Sequence, residues 1–267
     1  MEPAAWLLFL VGAFVAEIIG TMAGFGAATV LTPIAACFLD IKTAIAVVAC
    51  FHLFGNASRL LFFGRHIHWR TWAQFGITGV FASLVGAAVT AQLPSPMVKL
   101  AFGLFLLLYV ALSGDSASRW ELPNKPATLV GGGILSGFVA GLIGTGGAIR
   151  SACLLVFGLP TETYIGTSAA IALMVDATRL PVYVAERFIP SRMAPVLVSL
   201  VAVAFAGAWV GQRLIRRISS AAFRRFVLIM LALMGVKLLV DVWRDVRTHA
   251  STTSVSVERL VNRRRGG

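Results

Sequence analysis

Charged residues are scarce in this sequence, and acidic ones are the scarcest. Asp, Glu, Lys and Arg make up 13% of the 267 residues, and only 11 are Asp or Glu. A soluble domain of this length would show amphipathic periodicity, whereas here one apolar run follows another with brief polar interruptions. With 58% hydrophobic residues and a mean hydropathy of +0.87, the composition predicts an all-α polytopic membrane protein.

Residues that ligate metals are few and poorly spaced for that purpose. Cys37, Cys50 and Cys153 lie in apolar stretches without paired spacing, so we expect small buried apolar residues, with a thiol in contact with substrate as the alternative. His66 and His68 lie in a basic loop with no Cys or carboxylate nearby in sequence, which favours interfacial residues over ligands. We therefore expect no metal and no other cofactor.

Motifs of an intramembrane enzyme are missing too. There is no GxSxG or GxGD run, and Glu17 and Asp176 have no acidic partner in their own segments. The run Gly144-Thr145-Gly146-Gly147 lies in a hydrophobic hairpin without a soluble strand–helix unit, which argues against dinucleotide binding. We predict no catalytic residue and treat an intramembrane enzyme as a less favoured alternative.

Basic residues are the abundant charge, with 23 Lys and Arg and a net charge of +12. In a soluble protein this excess would suggest nucleic acid. Here most of the basic residues flank apolar segments, which is typical of positive-inside anchoring and contact with lipid phosphates. We therefore expect membrane lipid as a partner and no nucleic acid, and a homodimer stays open.

Apolar runs fill most of the chain. A spanning helix needs about 20 apolar residues, so there is room for roughly eight to ten membrane segments. The start has no basic n-region, which predicts a retained first helix and no cleaved signal peptide. We place the segments at residues 5–22, 27–39, 43–63, 72–91, 98–113, 128–143, 147–158, 164–185, 193–212 and 226–243. Segments 27–39 and 147–158 are short, so they either tilt or form re-entrant hairpins.

Two similar halves organise the chain. The first membrane repeat covers 1–112, a polar linker 113–127, the second repeat 128–243, and a basic disordered tail 244–267. At an offset of about 120 residues, Asn56 aligns with Asp176 and Arg59 with Arg179. If each half of four to five segments crosses an odd number of times, the halves are inverted repeats with glycine-broken, tilted or re-entrant helices.

Loop charge predicts the orientation. Loops 64–72, 114–126 and 213–225 share one side if the segments alternate, and they carry nine Lys and Arg residues against six near the other side. We therefore expect these loops in the cytoplasm and both termini outside, while the arginines at 263–265 argue for the reverse. The protein would be multi-pass in a bacterial cell inner membrane.

Glycines suggest both packing and binding. Gly133, Gly137 and Gly141 recur every four residues, a spacing that lets membrane helices approach closely. The cluster from Gly144 to Gly147 is denser than packing requires. It can leave N–H groups of a helix N-terminus unpaired at membrane depth, where they suit an anion.

Polar side chains share one face of the third segment in each half, because they are spaced at helical intervals. An Arg at the centre of a membrane helix costs on the order of 3 kcal/mol, so two at matching repeat positions favour an anion site. The alternative is a structural ion pair, above all between Asp176 and Arg179. The residues of these stripes are His52, Asn56, Arg59, Thr167, Ser168, Asp176 and Arg179.

Three further roles stay open at this point. Arg150 follows the glycine break and could complete an anion site or anchor to lipid headgroups. Glu17 lies in the first segment and is either a proton-coupling residue or the partner of an Arg. His52 could also carry a proton or be a satisfied interior residue, and Asp176 is the third proton-coupling candidate.

The motifs AGLIGTGGAIR and GLPTETYIGTSAA resemble the TauE/SafE family of membrane permeases, known as sulfite exporters, over roughly residues 7 to 242. The first half departs from the family's three glycines with Gly26-Ala27-Ala28. The resemblance implies transport of small sulfur oxyanions or organosulfonates across the bacterial inner membrane, commonly export, without ATP hydrolysis. The site residues that it implies are Gly24, Gly26, Gly144, Gly146, Gly147, Thr167 and Ser168.

Together these patterns predict a secondary transporter for a small anionic substrate such as sulfite or a sulfonate, working by alternating access. A proton or the substrate gradient would drive it. A passive anion channel is the main alternative, and paired arginines at depth would repel a cation. The predicted substrate-binding residues are Gly24, Gly26, His52, Asn56, Arg59, Gly144, Thr145, Gly146, Gly147, Thr167, Ser168, Asp176 and Arg179.

Overall fold

The described part of the chain is a bundle of ten α-helices without strands. It is a computed structural model that describes residues 3–23, 26–113, 122–214, 225, 228–245 and 247. The helices are α1 Pro3–Ala23, α2 Ala28–Ala35, α3 Ile41–Phe63, α4 Trp69–Gln92, α5 Ser95–Leu112, α6 Pro126–Ile143, α7 Gly147–Leu155, α8 Thr161–Ala185, α9 Ala194–Leu214 and α10 at 228–245.

Each predicted membrane segment corresponds to one of these helices, with its ends shifted by a few residues. Local caps account for several starts: the Asp40 carboxylate accepts from the Lys42 backbone N–H at 3.0 Å before α3, and Pro126 opens α6. The predicted linker and tail lie largely outside the described residues, at 114–121 and 248–267.

Seven of the described helices, α1, α3, α4, α5, α6, α8 and α9, are long and apolar enough to cross a membrane. Their outward faces carry large apolar side chains such as Leu61, Phe81 and Val198, each more than 60% exposed. Such a surface suits lipid and not water. The prediction of an all-α polytopic membrane protein is therefore confirmed.

The two short helices α2 and α7 have eight and nine residues. At 1.5 Å per residue each covers only about 12 to 14 Å, far less than the roughly 30 Å of a bilayer core, so even a strong tilt does not let them cross. Instead the chain turns back along the preceding helix. After α2, Phe38 lies 6.0 Å from Phe9 of α1, and a Cβ on Gly132 of α6 would lie 2.5 Å from Cys153 of α7.

A left-handed glycine stands in each reversal. Gly26 has φ +88° and Gly144 has φ +83°, values that L side chains rarely adopt. Gly144 ends α6, and Gly26 lies just before α2. The predicted glycine breaks are thus real turns, and each returns the chain within the bundle.

Contacts between helices fix their relative directions. α3 and α8 run antiparallel, because Phe63 at the end of α3 lies against Gly166 near the start of α8, while His52 meets Asp176 further along. α4 and α6 run parallel, as do α1 and α9. Two inverted repeats would have these directions, and the repeat itself stays a prediction.

The four-residue glycine spacing has the packing role expected of it. A Cβ on Gly137 would lie 2.1 Å from the carbonyl oxygen of Gly79 on α4, and one on Gly141 would lie 2.1 Å from that of Ser83. No side chain fits at such distances. The close approach of α4 and α6 therefore depends on these glycines.

Candidate functional site

Polar side chains meet where α3 crosses α8. His52 Nδ1 lies 2.7 Å from Asp176 Oδ2, and the Asn56 amide donates to the same oxygen at 3.4 Å. These three side chains are at most 4% exposed. The stripes predicted on the third segment of each half therefore contact each other at the centre of the bundle.

Arg59, one turn beyond Asn56, is held by three protein groups. Its Nε donates to Thr21 Oγ1 at 3.0 Å, its Nη1 donates to Asn56 Oδ1 at 2.7 Å, and its Nη2 pairs with the Glu17 carboxylate of α1. Glu17 is fully buried and also accepts from Thr21 at 3.3 Å. Glu17 is therefore the ion-pair partner of Arg59, and proton coupling at Glu17 stays a prediction.

Arg179 links α8 to the broken end of α6. Its Nε and Nη2 donate to Asp176 Oδ1 at 3.0 and 2.7 Å, so the i,i+3 ion pair considered from the sequence is formed. Its Nη1 donates to the Ala140 carbonyl, and Nη2 also donates to the Gly144 carbonyl at 3.3 Å. Tyr183 donates to Gly141 beside them. Ala140 already accepts from the Gly144 backbone N–H, so Arg179 and Tyr183 add side-chain donors to the carbonyls at the end of α6.

Arg150 differs from the other two buried arginines. It lies in the first turn of α7, is 5% exposed, and donates from Nε to Ser168 Oγ of α8 at 2.9 Å. No carboxylate of the described residues forms an ion pair with it. Of the roles left open for Arg150, burial excludes anchoring to lipid headgroups in this conformation.

A small enclosed cavity lies at these side chains. Its volume of about 10 Å³ is close to the space that one water molecule needs. A sulfur oxyanion has at least four heavy atoms, so the site is closed to such a ligand in this conformation. The cavity is lined by Gly20, Thr21, Gly26, Asn56, Arg59, Arg150, Ile165, Ser168 and Ala169.

Both short helices begin beside this cavity. Thr29, in the first turn of α2, and Thr145, just before α7, lie with their hydroxyl oxygens 2.8 Å apart. The N-terminus of a helix carries a partial positive charge. Two such ends and the Arg150 guanidinium therefore give the centre of the bundle a positive potential.

Besides Gly144 and Arg179, described above, and Thr167, described below, the predicted site residues divide into three groups. Gly26, Asn56, Arg59 and Ser168 line the cavity, and His52 and Asp176 adjoin it. Thr145, Gly146 and Gly147 form the turn into α7, where a Cβ on Gly146 would lie 2.2 Å from the Ser136 carbonyl oxygen. Gly24 lies outside the described residues.

Thr167 is placed apart from Ser168. Its hydroxyl accepts from the His68 backbone N–H at 2.9 Å, in the loop between α3 and α4. Ser168 lines the central cavity, and Thr167 is not among its lining residues. The sequence motif groups these two residues, and the structure gives them different neighbours.

The expectation that all three cysteines are buried is wrong for Cys37. Cys37 is exposed, because it lies in the turn after α2, while Cys50 is half-buried and Cys153 is buried. His66 is partly exposed and lies 3.3 Å from the exposed Glu162 carboxylate at the start of α8. Within the described residues no group of three or more His, Cys, Asp or Glu side chains could hold a metal ion.

The sequence did not single out several side chains of this centre. Thr21, Thr29 and Tyr183 each contact a residue far away in the chain, and these contacts do not follow from spacing within one helix. By sequence, Arg150 is an open candidate for an anion site and is not among the predicted substrate-binding residues. The signal in the sequence is its position directly after the glycine break. Its burial near the cavity depends on the depth of α7 in the bundle, which the sequence does not give.

The fold and the buried polar centre define a multi-pass α-helical membrane protein with two broken-helix hairpins. The chain belongs to the TauE/SafE sulfite exporter family, whose sequence model matches residues 8–238. The match spans most of the chain. The family description names an exporter, and the two relatives described next are named as probable membrane transporters.

Two curated relatives carry the name "Probable membrane transporter protein". The one from Methanocaldococcus jannaschii is 32% identical over 161 residues, which are 54% of this chain and 58% of that protein, so the alignment spans less than two thirds of its length. The one from Sinorhizobium fredii is 28% identical over 185 residues, covering 65% of this chain and 72% of the relative. No solved structure matches the chain.

Proposed function

We propose that the protein is a secondary transporter that moves a small sulfur-containing anion, such as sulfite or an organosulfonate, across the inner membrane by alternating access. The family name refers to sulfite export, which supports this substrate class. The observation that carries the proposal is Arg150, a buried guanidinium at the central cavity with no carboxylate partner among the described residues.

A buried charge without a partner costs several kcal/mol, so such a group is retained where a ligand supplies the opposite charge. Three arginines are buried at this centre, and Glu17 and Asp176 neutralise two of them. One positive charge remains, that of Arg150. The centre therefore suits an anion with one net negative charge.

The remaining polar groups at the cavity suit an oxyanion as well. Ser168 lies beside Arg150, and α7 begins there with the partial positive charge of its N-terminus. Arginine is suited to oxyanions because its planar fork donates several hydrogen bonds at once. Arg59 and Arg179 act in this proposal by holding the surrounding charges in place.

The closed cavity supports a carrier over the passive channel considered as the alternative. A cavity of about 10 Å³ at the centre is no continuous path for an anion. An anion reaches Arg150 only if helices or hairpins move to open the site on one side. We expect this motion in the hairpin α6–α7 together with helix α8, because Arg179 links α8 to the end of α6.

The test is uptake of labelled sulfite, methanesulfonate and sulfate into proteoliposomes that contain the purified protein. Arg150→Gln should lower saturable uptake of the transported anion by about 10-fold or more, since a hydrogen bond to a charged group is worth roughly 1.5 to 3 kcal/mol. Arg150→Lys should fall between, because it keeps the charge without the fork. Arg192→Gln, at an exposed arginine, is the matched control and should leave uptake unchanged.

Two results would contradict the proposal. Uptake of every anion at the level of protein-free vesicles would remove the substrate class. Equal uptake by Arg150→Gln and Arg192→Gln would show that the anion binds elsewhere, even if the protein transports it.

A further inference from the structure

One ring nitrogen of His52 contacts a carboxylate, and the other has no hydrogen-bond partner among the described residues. Nδ1 lies 2.7 Å from the Asp176 carboxylate, and because an ionised carboxylate only accepts, Nδ1 carries a hydrogen. Nε2 is buried and has no hydrogen-bond partner among the described residues. In the neutral ring Nε2 is therefore a bare lone pair at the centre of the bundle.

His52 Nε2 and Arg150 Nη2 both lie close to Gly26. A Cβ built on Gly26 would lie 2.5 Å from His52 Nε2 and 3.6 Å from Arg150 Nη2, so these two nitrogens are no more than about 6 Å apart. Gly26 itself lines the central cavity. Once the site opens, one small oxyanion can contact both nitrogens through two of its oxygens, since each hydrogen bond spans about 2.8 Å.

The two nitrogens differ in what they require of that anion, because one is a donor and the other an acceptor. Arg150 donates hydrogen bonds and favours negative charge. The Nε2 lone pair repels an anion oxygen that carries no hydrogen, and a buried acceptor left unpaired costs free energy. A single proton between Nε2 and an oxygen of the anion replaces this repulsion by a hydrogen bond.

We propose that His52 selects an oxyanion that shares one proton with Nε2, in preference to a sulfonate. Hydrogen sulfite donates its hydrogen to the neutral ring, and sulfite dianion accepts one from the protonated ring. Both cases contain the same atoms and the same total charge, and both satisfy Nε2 and neutralise Arg150. This inference rests on the proposed function and narrows its substrate.

A sulfonate fits neither state of the ring. Its oxygens carry no hydrogen at neutral pH, so with neutral His52 the Nε2 lone pair stays unmatched. With protonated His52 the hydrogen bond forms, but one positive charge is left over in the buried centre. Sulfonates should therefore bind more weakly than sulfite.

The charged groups near His52 lie on α1, α3, α7 and α8. Asp176 of α8 is held by Arg179, while Arg59 of α3 pairs with Glu17 of α1. Arginines keep their charge in proteins. Arg150 faces the ring from α7, and α2, packed against α3, contains no titratable residue.

The experiment compares uptake of labelled sulfite and methanesulfonate into proteoliposomes by the wild-type protein, His52→Asn and His52→Gln. Wild type should favour sulfite by about 10-fold or more in kcat/KM, the effect of one unpaired buried acceptor. Its KM for total sulfite should rise as the pH is raised above neutrality, since the dianion then has to take up a proton.

Neither variant can hold that proton. Asn keeps a donor near Asp176, and Gln places an amide near the position of Nε2, so the two variants perturb the site differently. Both should reduce the preference for sulfite to within about threefold and weaken the pH dependence of KM. Thr32→Val, at another buried side chain without a partner among the described residues, is the matched control and should retain both.

A wild-type protein that transports sulfite and methanesulfonate equally well overturns the inference, and so do His52 variants that keep the wild-type preference. In either case uptake that depends on Arg150 would leave the proposed function standing. Failure of the proposed function looks different, because then no sulfur anion moves at all. The ratio measured for the wild-type protein tests the inference even if both His52 variants fail to fold.

Discussion

Arg179 donates to Asp176 Oδ1 from two nitrogens, at 3.0 and 2.7 Å, while the same guanidinium holds the carbonyl oxygens of Ala140 and Gly144. One side chain therefore neutralises the buried carboxylate of α8 and completes the hydrogen bonding at the broken end of α6. Through Asp176 it also fixes the environment of His52.

Replacing Arg179 by Gln should destabilise the protein strongly. The change removes the ion-pair partner of the buried Asp176 carboxylate and a donor to the carbonyls of Ala140 and Gly144. Breaking a buried ion pair from one side costs about 3 to 5 kcal/mol. Thermal unfolding of purified protein in detergent, followed by loss of the monodisperse peak, measures the effect. Lys237→Gln, which removes a more exposed ion pair with Asp241, should shift the midpoint little. Equal midpoints for both variants would refute the structural role of Arg179.

Gly26→Ala should be much more harmful than Gly131→Ala. Gly26 has φ +88°, where an L residue costs about 1 to 2 kcal/mol, and its new Cβ would lie 2.5 Å from His52 Nε2. Gly131 lies in α6 with nothing within 4 Å of an added Cβ, so Ala there should be neutral or stabilising. Thermal midpoints and sulfite uptake measured for both variants check the prediction. Normal uptake by Gly26→Ala would contradict the close contact at the α1–α2 reversal.

Glu17 and Arg59 should be energetically coupled. Glu17→Gln alone leaves Arg59 without its counter-ion, and Arg59→Gln alone leaves Glu17 charged and buried. The double variant loses the pair together, so it should be less destabilised than the sum of the two by about 2 kcal/mol or more. A double-mutant cycle of unfolding midpoints measures this coupling. Additive effects would mean that Glu17 is neutral in the folded protein and free to act as a proton carrier.

The direction of α3 makes a prediction about sidedness. Because α3 is long enough to cross the membrane and runs antiparallel to α8, a cysteine at Asp40 should be labelled from the same side of the membrane as one at Glu186, after α8, and one at Arg65 from the opposite side. Membrane-impermeant thiol reagents, applied to a variant without Cys37, Cys50 and Cys153, test this in intact cells and inverted vesicles. Labelling of positions 40 and 65 from one side would refute a membrane-spanning α3.

Helix positions could be predicted from the sequence because their limits depend on local chemistry. Glycine at positive φ, proline at helix starts and the Asp40 cap act within a few residues of themselves. The short lengths of α2 and α7 follow from such breaks. The path of α2 and α7 within the bundle could not be predicted in this way, since it depends on packing against α1 and α6.

Charge pairing was predictable only within one helix. The Asp176–Arg179 pair follows from i,i+3 spacing, whereas Arg59 finds Glu17 on another helix, 42 residues away in the chain. The sequence therefore marked Arg59 and Arg179 as anion ligands, and both turn out to have protein partners. Arg150 is left without a carboxylate among the described residues, a fact that only the tertiary arrangement reveals.

The most direct test of an anion site at Arg150 is equilibrium binding of labelled sulfite to the purified protein in detergent. We expect saturable binding of one sulfite per chain, weakened by about 10-fold or more in Arg150→Gln and unchanged in Arg192→Gln. Binding of the same strength to wild type and Arg150→Gln would contradict an anion site at this arginine.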